Sequence, residues 1–508
     1  MYARIISLGI YGLDGYPVTV EADTSNGLPA FDVVGLPDAA VSESRDRVRS
    51  SIKNNGFTFP VSRITVNLAP ADKKKTGPVY DLPIMLAVLK ASGQLHENLD
   101  DCAFVGELSL DGELRRVNGA LSMAFAAQSA GIKNLFVPMD NAAEASVATG
   151  INIFGARNID DVISHLVGEK VLPAHEPPVF DSSSSTSLLD FSDIKGQAAA
   201  RRAMEIAAAG GHNVLMIGPP GAGKSMLAKR LPSILPELTH PESIETTKIY
   251  SVAGMLAGKA SLVTERPFRS PHHTVSPAGL TGGGAIPRPG EISLAHNGVL
   301  FLDELPEFPR TAMEVLRQPI EDNVITISRA SGSLTYPCAI MLVAAMNPCP
   351  CGNFGNAAKQ CTCAPNTVER YLSKISGPLL DRLDLHIEVA SVDYGAMSDK
   401  ARGESSRDIR NRVAAARKIQ HERFSESGVA CNAKIPPSMM GEACRTTEAG
   451  AATLKRAFEN LGFSARAYDK VLKVSRTIAD LSGDEAIDSG HIAEAVQYRA
   501  LDKKYWQR

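Results

Sequence analysis

One glycine-rich loop in the sequence has the residue types that bind phosphate. In NVLMIGPPGAGKSMLAKRL (213–231), an apolar strand-like stretch, a loop of pattern G-x-x-x-x-G-K-S and a helix-like stretch follow one another. Glycines let backbone N–H groups curve around phosphate oxygens at a helix start, while the lysine reaches the outer phosphates and the serine ligates Mg²⁺. The alternative is a glycine turn that occurs by chance. A strand-like and a helix-like stretch flank this loop, however, as a nucleotide site requires. The predicted ATP-binding loop consists of Gly218, Pro219, Pro220, Gly221, Ala222, Gly223, Lys224 and Ser225.

Two later apolar stretches end in polar side chains suited to hydrolysis. GVLFLDEL (298–305) ends in Asp303, which is predicted to hold Mg²⁺ together with Ser225, and in Glu304, which is predicted to polarise the attacking water. MLVAAMNP (341–348) ends in Asn347, whose amide is predicted to orient the same water. A strand ending in Asp-Glu is common at protein surfaces, and the alternative for Asn347 is a polar strand end that faces solvent. The preceding phosphate loop favours the catalytic interpretation.

Two arginines far from the phosphate loop are candidates for sensing nucleotide. SGPLLDRLDLHIEV (376–389) presents Arg382 between two aspartates before a strand, and an arginine so placed can act on the γ-phosphate of a neighbouring subunit. Arg466, near the start of a C-terminal helix, is a candidate reporter of nucleotide state. Each arginine alone is typical of a surface residue. The order along the chain of the phosphate loop, the two polar strand ends and the two arginines indicates an ATPase.

The same stretches resemble AAA+ ATPases, and more narrowly the branch of magnesium chelatase and MCM helicases. The narrow likeness rests on residues 190–225, GEISLAHNGVLFLDELPEF and SGPLLDRLDLHIEV, and the whole chain resembles the bacterial ComM/YifB family. The resemblance implies a hexameric ring that hydrolyses ATP at subunit interfaces and drives DNA branch migration in natural transformation or homologous recombination. It further implies single-stranded, forked or three-stranded DNA as substrate and recombinases or other recombination proteins as partners.

Matched by motif, the resemblance assigns a role to each candidate. Gly223, Lys224 and Ser225 correspond to the Walker A loop, and Asp303 with Glu304 to the Walker B pair. The remaining roles are the first sensor for Asn347, the arginine finger for Arg382 and the second sensor for Arg466.

Two other functions stay open beside the DNA motor. The ATPase module alone fits an ATPase subunit of magnesium chelatase acting on a protein partner, although a Lon-like N-terminal domain argues against it. An unfoldase feeding a protease is disfavoured because the chain shows no active peptidase motif.

The N-terminal region resembles the Lon protease domain along residues 106–141, but the catalytic residue types are missing. Val79, in TGPVYDLP, stands where a Lon-type serine nucleophile would be, and Leu121 and Met123 stand where lysines would. Because an isopropyl group cannot attack a peptide bond, we predict an inactive protease domain. By analogy with the Lon-like domain of RadA-type recombination proteins, it is expected to be a structural or DNA-binding platform. The lysines of the ADKKKTG run are a candidate phosphate contact or a solvated loop.

Two segments between the nucleotide motifs are candidate DNA contacts. EDNVITISRASGSLTYPC (321–338) predicts a hairpin with a Ser-Gly turn, and the resemblance to MCM-type rings makes Arg329 a pore residue that touches DNA. PFRSPHHTVSPAGLTGGGAIPRPGEISLAH (267–296) is rich in Gly and Pro and is expected to be a mobile lever that carries Arg269 and Arg288. Its adjacent histidines, His272 and His273, could ligate a metal, but such a pair more often forms hydrogen bonds or contacts phosphate.

Four of the eight cysteines are grouped in CPCGNFGNAAKQCTC. Cys349, Cys351, Cys361 and Cys363 follow the spacing C-x-C-x9-C-x-C, and four thiolates so close together can form a tetrahedral Zn²⁺ site. The alternative is a reduced loop whose cysteines are incidental. The other four cysteines are interpreted as ordinary thiols.

The elements that must position these groups fall into three predicted parts. Strand-like and helix-like stretches alternate in 1–170, including a strand at 63–70, a helix at 81–93 with one apolar face, and a hairpin around Asp111-Gly112. A Pro- and Ser-rich linker (171–191) leads to an α/β ATPase core (192–392) and a helical lid (393–508) in which Ile409, Val413, Ala416 and Ile419 form one stripe. The predicted fold is an α/β AAA+ P-loop module with a helical lid, preceded by a Lon-like (ribosomal S5 domain 2-like) α/β domain.

Composition is that of an ordinary globular chain. The 508 residues carry a formal net charge of −3, so DNA binding must come from local basic patches. No uncharged apolar run approaches the roughly 20 residues of a membrane helix, and no signal peptide is apparent. A cytoplasmic protein without a membrane partner is expected.

Overall fold

The computed structural model describes residues 1–180, 189–256, 261–284, 287–329, 332–355, 359–391 and 403–506. These fold into two compact units, one formed by residues 1–181 and 239–264, the other by residues 182–238 and 265–508. Segment 239–264, which the sequence places inside the ATPase core, thus makes most of its contacts with the N-terminal unit. Across the described ranges, no helix combines the length and apolarity needed to cross a membrane.

The N-terminal unit contains a mixed seven-stranded sheet of strand order β3-β4-β2-β1-β5-β8-β9, and a separate hairpin, β6–β7. The strand predicted for 63–70 is confirmed as β4, and β6–β7 confirms the hairpin around Asp111-Gly112. The strands are β1 Tyr2–Tyr11, β2 Asp14–Ser25, β3 Ala30–Val34, β4 Arg63–Ala69, β5 Cys102–Phe104, β6 Glu107–Leu108, β7 Leu114–Arg115, β8 Asn134–Pro138 and β9 Asn152–Ala156.

The helices of this unit cover the sheet and enclose its core. Every side chain of helix Asp81–Ala91 except Lys90 is buried, so the prediction of one apolar face was wrong: this helix is enclosed all round. Helix His240–Ala253, from the segment that joins this unit, packs against helix Ala120–Ser129, and Lys248 lies over the Phe125 ring. The remaining helices are Ala39–Ser42, Ser44–Asn54, Met139–Ala145 and Ile159–Leu166.

The second unit is built on a parallel five-stranded sheet of order β11-β14-β17-β10-β18. Because all five strands run the same way, their carboxyl ends share one edge, where ligands bind in open α/β sheets. The three central strands are apolar and fully buried, as expected for a parallel sheet covered on both faces. The strands are β10 Val214–Ile217, β11 Phe268–Arg269, β14 Val299–Leu302, β17 Met341–Met346 and β18 Leu385–Glu388.

Helices surround this sheet and continue into the lid. In helix Ser406–Arg423, Ile409, Val413 and Ala416 are buried as predicted, but Gln420 rather than Ile419 completes the stripe. The Gln420 amide donates to the carbonyl of Ala209 at 3.0 Å, and this hydrogen bond offsets the cost of burying the amide. The other helices are Ala198–Gly210, Lys224–Arg230, Pro277–Thr281, Glu291–Leu294, Arg310–Glu314, Arg317–Asp322, Pro365–Leu372, Gly377–Leu380, Met440–Ala443, Glu448–Leu461, Ala465–Ser482, Ser489–Gln497 and Leu501–Tyr505.

The two candidate DNA-contacting segments belong to this second unit. The predicted hairpin is confirmed by the antiparallel pairing of β15 (Val324–Arg329) with β16 (Gly332–Pro337); Ser331 of the predicted turn lies outside the described residues. The Gly- and Pro-rich segment forms short helices and a small sheet, in which β12 (Gly282–Gly283) pairs with β13 (Arg288–Pro289). The hairpin packs on that small sheet, since the Tyr336 hydroxyl donates to the carbonyl of Pro287 at 2.9 Å.

Candidate nucleotide-binding site

The phosphate loop, residues 218–225, joins the end of β10 to helix Lys224–Arg230. Gly221 and Gly223 have φ of 79° and 91°, which other residue types rarely adopt. A Cβ at either position would meet no described atom within 4 Å, so backbone conformation rather than crowding requires glycine there. The loop therefore carries the backbone form that directs N–H groups toward an anion at a helix start.

Lys224 connects the phosphate loop to the end of β17. Its ammonium donates to the carbonyls of Gly218 and Pro219 at 2.7 and 2.9 Å and to Oδ1 of Asn347 at 3.0 Å. Burial lowers the pKa of Lys224, and the carboxylates of Asp303 and Glu304 oppose that shift. The lysine and the predicted first-sensor residue thus meet at one point.

Ser225 and Asp303 form the second contact of the site. The Ser225 hydroxyl donates to Oδ2 of Asp303 at 2.5 Å, across 78 residues of sequence. A hydroxyl and a carboxylate are oxygen ligands of the kind that Mg²⁺ takes, usually beside substrate phosphates. The pair fits a magnesium ion at the carboxyl edge of the sheet.

Glu304 has an unusual backbone conformation. Its φ is 53° and its ψ 46°, a left-handed state that costs a non-glycine residue about 1–2 kcal/mol. Its N–H donates to Oδ1 of Asp303 at 3.0 Å, and its side chain is 57% exposed. Strain of this kind is concentrated at functional sites, and here it falls on the residue predicted to polarise the attacking water.

His273 is a neighbour of Glu304 that the sequence did not assign to it. Its Nδ1 lies 3.6 Å from Oε2 of Glu304, and its ring centroid lies 4.0 Å from that of His272. His272 contacts the Thr274 hydroxyl at 2.9 Å. Sequence alone left metal ligation, hydrogen bonding and phosphate contact open for the two histidines, and the structure shows a hydrogen bond for His272 and places His273 at the carboxylate predicted to act on water.

The two predicted sensing arginines lie elsewhere in the unit. Arg382 is paired with Glu321 at 2.6 Å, its side chain is 11% exposed, and it donates to the carbonyl of Pro378 at 2.6 Å. Arg466, at the start of helix Ala465–Ser482, is 66% exposed and lies 3.8 Å from Asp381. Neither pairing involves the phosphate loop of the same chain.

A buried polar network that sequence analysis missed connects the sheet to the lid. Asp384 lies 2.8 Å from Nζ of Lys470 on the lid and 3.5 Å from Nδ1 of His212. Although burial alone would raise the pKa of Asp384, the Lys470 ammonium holds it well below its ordinary value. Asn213 donates to the Arg382 carbonyl at 3.1 Å and accepts from the Leu342 N–H at 2.8 Å. Asp384 stands in the quoted SGPLLDRLDLHIEV motif, but only its contacts with Lys470 and His212 show the role.

The four predicted cysteine ligands come together. The sulfurs of Cys349, Cys351, Cys361 and Cys363 all lie within 4.8 Å of one another. The N–H of Asn353, followed by that of Thr362, lowers the pKa of Cys351 to about 5, which favours its thiolate at neutral pH. Four sulfurs at this spacing fit a tetrahedral ion such as Zn²⁺.

The predicted DNA-contacting arginines differ in their surroundings. Arg269 forms a two-point ion pair with Glu291, both contacts at 2.7 Å, which neutralises much of its charge. Arg288 is exposed on β13. Arg329 ends β15, opposite Gly332.

In the N-terminal unit, the position that would hold a serine nucleophile is enclosed. Val79 is 6% exposed in a short turn before helix Asp81–Ala91. Leu121 and Met123 are buried in helix Ala120–Ser129, and the Lys75 ammonium donates to the carbonyls of Lys73, at 2.9 Å, and Pro70. Burial lowers the pKa of Lys75.

Comparison with known proteins identifies three matching regions and full-length relatives. Residues 190–397 match the family described as magnesium chelatase, subunit ChlI, residues 403–499 its C-terminal part, and residues 20–141 a family described as subunit ChlI of Mg-chelatase. The competence protein ComM of Haemophilus influenzae is 45% identical over 98% of this chain and 97% of its own length. The YifB protein of Escherichia coli is 45% identical over 97% of this chain and 96% of its own length.

A more distant likeness covers the N-terminal region. The Lon protease of Mycolicibacterium smegmatis is 24% identical over 33% of this chain and 22% of its own length. The Lon-like part was expected to argue against a chelatase subunit; since residues 20–141 also match a chelatase-named family, this region does not separate the two functions by itself.

Proposed function

The chain belongs to the ComM/YifB family of magnesium-chelatase-like AAA+ proteins, and from this premise we propose that it is an ATP-driven hexameric DNA motor that promotes branch migration in natural transformation and homologous recombination. The observation that carries the proposal is the meeting of Lys224, Ser225, Asp303 and Asn347 within one site of a chain that is 45% identical to a competence protein along nearly its whole length.

In this proposal, each residue of the site has one task in ATP hydrolysis. Lys224 exchanges its carbonyl partners for the outer phosphates, and Ser225 with Asp303 holds Mg²⁺, which neutralises phosphate charge when bound. Glu304 accepts a proton from the attacking water, and Asn347 orients that water because its amide lies beside Lys224.

The position of Arg382 supports a ring. Since its partners in the chain lie outside the phosphate loop, we propose that it serves the site of the adjacent subunit as an arginine finger. Arg382 must then leave Glu321 as the interface forms. Arg466, exposed on the lid, is proposed to report nucleotide state as the second sensor.

DNA contact is assigned to the β15–β16 hairpin and the neighbouring small sheet. Arg329 and Arg288 are the proposed phosphate contacts, with Arg269 in a secondary role because Glu291 already pairs with it. Phosphate contacts by arginine are independent of base sequence, as a motor that moves along DNA requires.

We further propose that the four-cysteine cluster holds Zn²⁺. Metal analysis of purified protein should find about one zinc per chain, as a closed four-sulfur site implies. Cys351→Ser should remove it, whereas Cys102→Ser, in the other compact unit, should not.

A second candidate function is an ATPase subunit of the magnesium-chelatase type that acts on a protein partner. The matches to chelatase-named families over residues 20–141, 190–397 and 403–499 favour it. In that case ATP hydrolysis would respond to a protein and not to DNA.

The deciding experiment measures ATP hydrolysis with no DNA, single-stranded DNA and forked DNA, beside a three-strand branch-migration assay. The motor requires stimulation by DNA and ATP-dependent strand exchange. ATP hydrolysis that no DNA accelerates, without branch migration, would favour the chelatase-type function.

A further inference from the structure

The loop that carries the four cysteines lies against the phosphate loop. Cys349 is buried two residues after Asn347, whose amide contacts Lys224. On the other side of the loop, a Cβ at Gly352 would lie 2.3 Å from Cδ of Pro220 in the phosphate loop. The cysteine loop thus touches the nucleotide site at two points.

The same loop also contacts the C-terminal helix Leu501–Tyr505. The rings of Phe354 and Tyr505 are 6.3 Å apart, and a Cβ at Gly355 would lie 3.5 Å from Cε of Lys504. Lys504 and Tyr505 are tied to Glu388, at the carboxyl end of β18, at 2.7 and 3.3 Å. The loop is therefore held between the phosphate loop and the last described helix.

We propose that a zinc ion in this cluster serves as a strut that fixes Asn347 and the phosphate loop in their hydrolytic arrangement, so that ATP turnover depends on a metal that never touches the nucleotide. This rests on the proposed zinc site and ATPase activity. Without the ion, the contacts between the thiols of Cys349, Cys351 and Cys361, at 3.3 to 3.7 Å, are the links between the two cysteine pairs that the described residues show, and Asn347 loses part of the constraint on its orientation.

Zinc removal tests the strut. Cys361→Ser or chelation should leave the circular dichroism of the chain intact but lower kcat at least about tenfold, since small misplacement of an orienting group is costly. Restoring zinc to chelated wild type should restore kcat. Zinc-free, folded protein with wild-type kcat would refute the strut while leaving the ATPase assignment in place; absence of zinc from purified wild type would refute the metal site itself.

A pair of glycine variants separates the strut from metal binding. Gly352 and Gly355 have nearly equal φ, 79° and 75°, so alanine is similarly strained at both, but only at Gly352 does it collide with Pro220. Gly352→Ala should keep zinc and weaken nucleotide binding, whereas Gly355→Ala should keep both. Equal nucleotide affinity in the two variants, both with zinc bound, would contradict the contact between loops.

Independently of the cysteine loop, contacts and one stretch of chain connect the proposed DNA hairpin to Glu304. Tyr336 of β16 donates to the Pro287 carbonyl beside β13, and a Cβ at Gly282 of β12 would lie 2.9 Å from Cδ1 of Ile327 on β15. β11, which pairs with β14, precedes the small sheet in the chain. His273 lies between β11 and β12 in sequence. His273 in turn lies 3.6 Å from Glu304.

The geometry points to His273 as a positioning residue. It holds the Glu304 carboxylate in an orientation that depends on the position of the hairpin, and so couples DNA contact to ATP hydrolysis. This deepens the proposed motor function. Movement of the hairpin would shift the β12–β13 segment and with it the histidine, which changes the aim of the carboxylate without touching ATP.

The test compares His273→Ala, His273→Asn and the control His421→Ala, an exposed histidine on the lid. His273→Ala should bind ATP and DNA normally yet lose DNA stimulation of kcat, and His273→Asn, which keeps a donor, should recover part of it. Persistent stimulation in His273→Ala would refute the coupling. If wild type itself shows no stimulation, the motor proposal fails instead.

Discussion

At the scale of single residues, the side chains of the candidate site already contact one another. Lys224 holds three oxygens, Ser225 holds Asp303, and Glu304 stands in a strained conformation with His273 beside it. In the proposed mechanism, the lysine binds phosphate in the ground state, whereas the glutamate acts only on water. Removing each should therefore have a different consequence.

Lys224→Ala should abolish ATP binding, and Glu304→Gln should bind ATP but hydrolyse it about 10²- to 10⁴-fold more slowly, the range expected for a general base. Fluorescent-nucleotide titration measures the first effect and single-turnover phosphate release the second. Wild-type hydrolysis by Glu304→Gln would show that another group activates the water.

His212 gives the stability of the second unit a pH dependence whose direction can be predicted. Burial lowers the pKa of this fully enclosed histidine, with Asp384 opposing the shift. In the unfolded chain His212 takes up a proton below about pH 6.5, whereas in the folded chain it does so only at a lower pH, so stability falls as the pH drops. Between pH 7.5 and 5.5 the loss attributable to it is at most about 1.4 kcal/mol. Urea unfolding of wild type and His212→Gln should show the smaller loss in the variant; equal losses would contradict the assignment.

At the scale of elements, the proposed motor gives the sheet and the hairpin separate tasks. The parallel sheet brings the ends of β10, β14 and β17 to one edge, while β15–β16 forms its own two-stranded sheet with Arg329 at its tip. A change at the hairpin tip should therefore affect DNA before it affects ATP.

Arg329→Ala should retain ATP hydrolysis without DNA but lose stimulation by DNA and branch migration. Losing one phosphate contact should also flatten the plot of log affinity against log salt by about one unit for each engaged subunit. Binding to DNA of two unrelated sequences at several salt concentrations measures this. Unchanged affinity and salt dependence would mean that the hairpin is a structural ridge.

At the scale of the whole molecule, the proposed ring places Arg382 and Glu304 of one site on different chains. Arg382→Ala and Glu304→Gln should each be inactive, yet mixing them should restore some activity, because an Arg382→Ala subunit can receive the arginine of a Glu304→Gln neighbour. Random mixing in equal amounts gives about a quarter of the interfaces both groups. No recovery, with mixed rings demonstrated by crosslinking, would indicate that Arg382 acts within its own chain.

The N-terminal unit should cleave no peptide bonds. Val79 is enclosed and its side chain is no nucleophile, and Lys75 is bound to backbone carbonyls. Incubation of purified protein with casein and ATP, followed by quantitation of new amino termini, tests this. Cleavage that disappears on mutation within residues 1–170 would overturn the prediction.

The sequence by itself determined the fold class and the family, and it predicted which side chains form the candidate nucleotide site. A strand, a glycine loop and a helix are local patterns, and parallel strands necessarily bring their ends to one edge, so Lys224, Asp303 and Asn347 had to meet. The cysteine spacing likewise restricted four sulfurs to a small volume.

Only the tertiary structure decided which side chains meet across the unit. The contact of His273 with Glu304, the pair of Arg269 with Glu291, the burial of Asp384 beside Lys470 and the grouping of residues 239–264 with the N-terminal unit leave no periodic trace in the sequence. Such contacts depend on strand order and on burial, which the whole chain sets together, whereas hydrophobic periodicity records only which face of one element is covered. For the same reason Gln420, polar by type, could occupy a buried stripe: its amide found a backbone partner that only folding supplies.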